Sequence, residues 1–220
     1  MDLVDMTINM NKKLSALKYL PVTCLSLACM TYNLSSQAQS NPNCSSPQTQ
    51  AEMNICARQS LERADSELNR VYSQVINNQS ATHRELLIDA QLDWIDYRDA
   101  TCELAGDGVR GGSLQPLYIT TCHTTLTETR TAELAAYAEN RYPRSTATRF
   151  SDVEPQYRSA LSRRTRQSNS SLVAAADNAW QNYRNSVCEF EQRSWGSPAL
   201  GNCQTRLTEQ WIQQLQGGGR

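Results

Sequence analysis

The stretch WIDYRDATCE, Trp94 to Glu103, returns downstream as WQNYRNSVCE, Trp180 to Glu189. Both read W-x-x-Y-R-x-x-x-C-E. Tryptophan and tyrosine three residues apart share one face of a helix, so Trp94 with Tyr97, and Trp180 with Tyr183, are suited to anchor a small core. Arg98 lies one turn beyond Trp94. Its planar fork suits stacking on the indole or pairing with a carboxylate such as Asp65. Arg184 has no obvious counterpart of Asp65, because Phe150 falls near that place. The second stretch keeps the anchors, the arginine and the cysteine, while Asp96 and Asp99 become Asn182 and Asn185. What recurs is what a small stapled helix needs. The pattern therefore reads as the structural signature of a repeated unit.

The repeat extends outward. Leu172 precedes Trp180 by the spacing at which Leu86 precedes Trp94, and C-x-x-x-L-T-E occurs at Cys122–Glu128 and again at Cys203–Glu209. Ahead of the first copy, Leu61, Ala64, Asp65, Leu68, Tyr72, Val75 and Ile76 recur at three and four, the helical period. Ser45 or Ser46 can cap this helix, with Pro47 in its first turn. Residues 77–84 form a polar turn, and a second helix is expected from about Arg84 to Cys102. Four glycines and a proline break the chain over 105–116. A third helix runs on from about Leu117. No segment alternates with the strand period, so the fold class is all-α: small, disulfide-stapled, antiparallel helical bundles in tandem, one complete and one truncated. The boundaries read as 1–38 leader, 40–140 complete helical domain, 141–150 linker, and 150–216 degenerate second repeat.

The leader has three parts. Lys12, Lys13 and Lys18 give a positive front, Leu20–Met30 is a short apolar run, and Ser36–Ala38 offers small residues for cleavage. The run is shorter than the roughly 20 apolar residues that span a bilayer. Cleavage is expected after Ala38, with Met10 as an alternative start, and the mature chain is expected in the periplasm or secreted, without a transmembrane segment. Cys29, preceded by a poor lipobox, is the lipoprotein alternative. Beyond the leader the chain has no lysine, and 18 arginines face 20 aspartates and glutamates. That balance gives no basic footprint for nucleic acid. A basic cluster at Arg158, Arg163, Arg164 and Arg166 reads as a solvated helix or loop face.

Six cysteines remain after the leader: 44, 56, 102, 122, 188 and 203. An even number behind an export signal implies disulfides. In the second copy Cys188 has only Cys203 as a local partner, so internal analogy pairs Cys102 with Cys122 and leaves Cys44 for Cys56. A helix running from residue 47 through 56 would hold that last pair apart. A hairpin turning near residue 80 gives the alternative, Cys56 with Cys102 and Cys44 with Cys122. With few large aliphatic residues, the cores should be small and rely on these bonds.

Catalysis finds little support. The two histidines, His83 and His123, do not recur in the second copy, and no C-x-x-C pair offers a metal site. Asp89, Asp93, Asp96, Asp99 and Glu103 read as an exposed acidic stripe. The Gly-rich loop at 105–112 lacks the ending of a phosphate loop. No enzyme activity, cofactor or metal is expected. The same loop, with Asp107, Arg110, Gly111 and Gly112, is the candidate for partner contact, since a disulfide-bounded loop suits insertion into a cleft.

The segment C-x-x-x-x-L-x-x-x-D-x-x-L-N-x-x-Y (Cys56, Leu61, Asp65, Leu68, Asn69, Tyr72), then A-Q-x-x-W-x-x-Y-R-D-x-x-C (Ala90–Cys102), then G-G-S and T-E-x-R (Thr127–Arg130), resembles the LprI N-terminal-type lysozyme inhibitor family. The resemblance covers roughly residues 44–136. Residues 172–211 look like a truncated second member without the front cysteines or the D-x-x-L-N segment. The resemblance implies an exported, helical, disulfide-bonded binding protein whose protein partner is a lysozyme. A lysozyme is often cationic and carries acidic catalytic groups, so a mildly acidic partner would approach it by electrostatic complementarity. The alternative is an interaction module of the cell envelope with another protein partner.

Overall fold

The computed structural model describes residues 42–217. The leader, its cleavage site, Met10 and Cys29 lie outside the described residues. Among those described there are six α-helices and one short 3-10 turn, with no strand. In chain order the helices are α1 Gln50–Asn77, α2 Ala81–Ala105, α3 Gln115–Ala138, α4 Phe150–Gln167, α5 Ser170–Trp195 and α6 Ser197–Gly217. The fold is all-α, in keeping with the helical period of the sequence.

Helix α1 starts later than Ser45, Ser46 and Pro47 suggest. Thr49 is the N-cap: its hydroxyl accepts from the Glu52 N–H at 3.2 Å, and the Glu52 carboxylate accepts from the Thr49 N–H at 3.0 Å. This reciprocal capping box satisfies two of the orphan donors at once, which neither serine does. Residues 42–48 therefore stay outside the helix, and Cys44 folds back to Cys56 with 5.4 Å between alpha carbons. The obstacle of a helix beginning at residue 47 does not arise. The other bridges join Cys102 to Cys122 and Cys188 to Cys203, at 5.4 and 5.5 Å. Each ties the end of one helix to the early turns of the next. Helix α2 also begins ahead of Arg84, because the Ser80 hydroxyl caps it by accepting from the His83 N–H.

Helix α1 lies along α3, α4 along α6, and α5 beside α6. The longest contact of all runs between α2 and α5, the two helices that carry W-x-x-Y-R. One apolar cluster passes through all six helices, from Leu68 and Val75 through Leu87, Trp94 and Leu134 to Val153, Trp180, Phe190, Leu207 and Trp211. The expected small cores give way to this shared one. The reason is that α2 turns Tyr97 toward α5, where it meets Tyr183, so the two halves bury their aromatic faces against each other. Pooling raises the buried fraction of a chain poor in large aliphatics. The stretch expected as a linker is strapped down as well. Asn202 donates to the Pro143 carbonyl at 2.6 Å and accepts from the Ser145 N–H at 2.9 Å. Glu209 accepts from the N–H groups of Thr146 and Ala147 at 3.0 and 2.7 Å.

Candidate functional site

Both roles read for Arg98 are filled at once. Its guanidinium lies 5.1 Å from the Trp94 ring centroid, and it reaches Asp65 at 3.7 Å and Asp99 at 2.8 Å. Burial lifts the half-buried Asp65 carboxyl above its ordinary range, and Arg98 offsets this only in part. Asn69, four residues on, is exposed, while Tyr72 is buried and its phenol is pushed up to about 12 by that burial. In the second half Arg184 lies 4.7 Å over Trp180, and a neutral neighbour, Asn185, accepts from it at 3.3 Å.

Matching positions make matching contacts. Gln91, three before Trp94, accepts from Arg130, eight after Cys122, at 3.1 Å. Asp177, three before Trp180, accepts from the indole N–H of Trp211, eight after Cys203, at 2.8 Å. Arg130 lies 5.5 Å from the Tyr183 ring, and Trp211 meets the Tyr97 ring edge-on at 5.9 Å. Between them Tyr97 and Tyr183 stack at 5.4 Å, with ring planes 10° apart.

Beside this stack lies a buried polar network. Arg206 pairs with Glu133 and, at 2.6 Å, with Glu191. Arg130 reaches Glu133 and the Tyr183 hydroxyl at 3.2 Å each. Tyr183 donates to Glu133 at 2.7 Å and Tyr137 to Glu191 at 2.6 Å. Two arginines and two glutamates, none more than 4 % exposed, are thus matched charge for charge. Burial pushes the Glu133 carboxyl up, but Arg206 and Arg130 outweigh it and hold the group below its usual range. At Glu191 burial prevails over Arg206 and the carboxyl sits above its usual range. The network joins α3, α5 and α6. Sequence reading missed Glu133, Glu191 and Arg206 altogether, and saw Arg130 only as the end of T-E-x-R. Charge spacing along one helix carries no sign of a network made by three.

The candidate loop runs from Gly106 to Leu114. Its base is built. Gly106 sits so close to Ile119 that a Cβ there would meet the side chain at 2.7 Å. Arg110 bridges Glu103 and Asp107 at 3.0 and 3.1 Å. Asp107 accepts from the Asn169 N–H at 3.0 Å, which, with Arg110, holds its carboxyl below the usual range. Arg164, read with the solvated basic cluster, is instead buried and donates to the Leu104 carbonyl at 3.2 Å, bracing the loop from α4. The tip is open: Gly111 has φ +75° with free space where a side chain would be. Directly after it, Leu114 and Tyr118 form an exposed apolar pair one turn apart. The second half has no such loop, its bridge spanning 15 residues against 20 in the first.

His123 lies 3.8 Å from Asp99, and burial followed by the nearby Arg98 pulls its pKa below the ordinary histidine value. His83 shares a hydrogen bond with Ser80 at the start of α2. Among the described residues no group of three or more His, Cys, Asp or Glu is placed to hold a metal ion. No helix among them is long and apolar enough to cross a membrane.

The geometry defines an all-helical, disulfide-stapled domain that presents a braced loop beside an acidic helix. Residues 41–134 match the family described as Lysozyme inhibitor LprI, and the chain belongs to this family. The match covers α1, α2, the loop and most of α3. An uncharacterized protein of Rhizobium meliloti (strain 1021) is 40% identical over 127 residues, which cover 52% of this chain and 91% of that protein. No solved structure matches.

Proposed function

We propose that this is an exported, non-enzymatic binding protein that inhibits a lysozyme by protein–protein contact. The loop Asp107–Gly112 is the inserting element, with Leu114 and Tyr118 as its apolar shoulder. The observation that carries this reading is the loop itself, taken with the family. Cys188–Cys203 staples the corresponding helices of the second half with five fewer residues. The extra length and the glycines are therefore not required to close such a connection. The exposed Tyr118, in the first turn of α3 beside the loop, is the kind of residue that anchors an interface. The bracing by Asp107, Arg110 and Arg164 pre-organises it, which lowers the entropy lost on binding. In this reading residues 150–216 are a degenerate second copy that supports the first, and the three disulfides belong to an extracytoplasmic compartment.

The test uses the mature chain, residues 39–220, against a panel of lysozymes, following lysis of cell walls and direct binding. Inhibition of at least one lysozyme, weakened tenfold or more by Tyr118→Ala together with Leu114→Ala, is the expected result. Absence of both inhibition and binding at micromolar concentration overturns the proposal. Recovery of a specific non-lysozyme partner from envelope extracts would then point to the envelope module.

A further inference from the structure

The outer face of α2 has a composition that the fold does not demand. Beside the exposed Arg84, one line of outward positions holds Glu85, Asp89, Leu92, Asp96, Asp99 and the partly exposed Glu103, spaced at four, three, four, three and four. They form one stripe about 27 Å long at 1.5 Å per residue. Leu92 stands in it at 48% exposure, one of the few large apolar side chains left open. Asp99 and Glu103 are paired with Arg98 and Arg110. Glu85, Asp89 and Asp96, with Asp93 alongside, make no ion pair among the described residues. Like charges three and four apart on a helix destabilise it, so the arrangement works against the helix that bears it.

Helix α5 supplies an internal control. Eighty-six residues on, the same outward positions hold Ser171, Ala175, Asn178, Asn182, Asn185 and Glu189. The buried positions persist, as Ala90 and Ala176, Trp94 and Trp180, Tyr97 and Tyr183, and Cys102 and Cys188. The packing survives without the carboxylates. The difference extends to the halves as wholes: residues 41–140 hold 7 arginines and 14 acids, net −7, and residues 141–220 hold 11 and 6, net +5. The near-neutral chain is strongly polarised, and its negative end is the half that matches the inhibitor family.

We infer that the outer face of α2 is the docking surface for the cationic body of a lysozyme, with Leu92 at the centre of contact. This rests on the proposed function and locates the partner on it. The stripe ends at Glu103, whose carboxylate holds Arg110 of the loop, so the helix face and the loop form one continuous surface. Unpaired carboxylates on a rigid helix steer a cationic partner during encounter. Leu92 supplies the apolar patch that charge alone lacks.

The experiment compares the mature chain with the triple variant E85Q/D89N/D96N and with Leu92→Ser, measuring association and dissociation rates with a cationic lysozyme at low and high salt. Cytochrome c serves as a cationic protein without a glycan cleft, and circular dichroism checks the fold. The triple variant is expected to associate at least tenfold more slowly at low salt and to lose most of its salt dependence. Leu92→Ser is expected to dissociate several-fold faster with an unchanged association rate. A triple variant that binds as the wild type does, with the same salt dependence, overturns the docking surface and leaves the inhibitor reading standing. Equal affinity of the wild type for cytochrome c shows generic charge attraction and also overturns it. A wild type that binds no lysozyme overturns both readings.

Discussion

Glu133 of α3 and Arg206 of α6 form an ion pair in full burial, between residues 73 apart in the chain. Arg206 also holds Glu191, and Arg130 also holds Glu133, so neither charge of the pair depends on the other alone. Removing one member of a buried pair leaves an uncompensated charge and typically costs about 3–5 kcal/mol. Arg206→Met, which keeps the volume but not the charge, should therefore destabilise the protein by at least about 3 kcal/mol in urea denaturation. Adding Glu133→Gln to it should cost clearly less than Glu133→Gln alone, because the carboxylate has by then lost its main partner. Strict additivity of the two changes would show that the network carries no coupling.

The tyrosine stack makes a second demand. Tyr97 and Tyr183 are both buried, and each is packed by a residue from the other half. Tyr97→Ala should cost about 3 kcal/mol, as for other buried aromatic truncations. Since the core is shared, the loss should appear in one cooperative transition. Unfolding in two steps, with the C-terminal helices melting alone, would contradict a common core.

How much of this was legible in the sequence follows from the range of the interactions. The helices, the aromatic anchors and the pairing of Arg98 with Trp94 and Asp65 rest on spacings within one helix or one hairpin, and these a sequence displays. The cap at Thr49 is equally local, as Thr-x-x-Glu, and Ser-Ser-Pro just before it offers a competing start signal of the same range. Glu133, Glu191 and Arg206 were not legible, because each is an ordinary charged residue on an amphipathic helix until a third helix covers it. Arg164 shows the same limit: in sequence it belongs to a basic run, and its burial beside the Leu104 carbonyl marks it off from Arg163 and Arg166. The loop was visible as glycines, while its bracing by Asn169 was not, since that contact comes from the other half.

The bridges separate structure from binding. Closing a 20-residue loop in the unfolded chain costs it about 3 kcal/mol of entropy at 25 °C, and a 15-residue loop nearly as much. C102A/C122A and C188A/C203A should therefore lower stability by similar amounts in a denaturant titration. If the loop is the inserting element, only C102A/C122A should weaken lysozyme binding, by tenfold or more, under conditions where both variants are folded. Equal effects on binding would place the contact elsewhere.

His123 gives a pH signature. Its ring faces Asp65, Asp99 and Arg98, and burial and the arginine set its pKa below the ordinary 6.5. The unfolded chain therefore takes up this proton before the folded one as the pH falls. Stability should begin to drop near pH 6.5 and go on dropping until the pH reaches the folded value. Asp65 and Glu191, whose carboxyls are raised, act in the opposite sense, because the folded state takes up their protons first. Both remain in His123→Gln, so they largely cancel in a comparison of that variant with the wild type. Thermal melts at pH 7.5 and pH 5.5 should show the wild type losing more stability than His123→Gln over this interval. A difference between the two proteins that stays constant with pH would mean that His123 is not held in its neutral form by its surroundings.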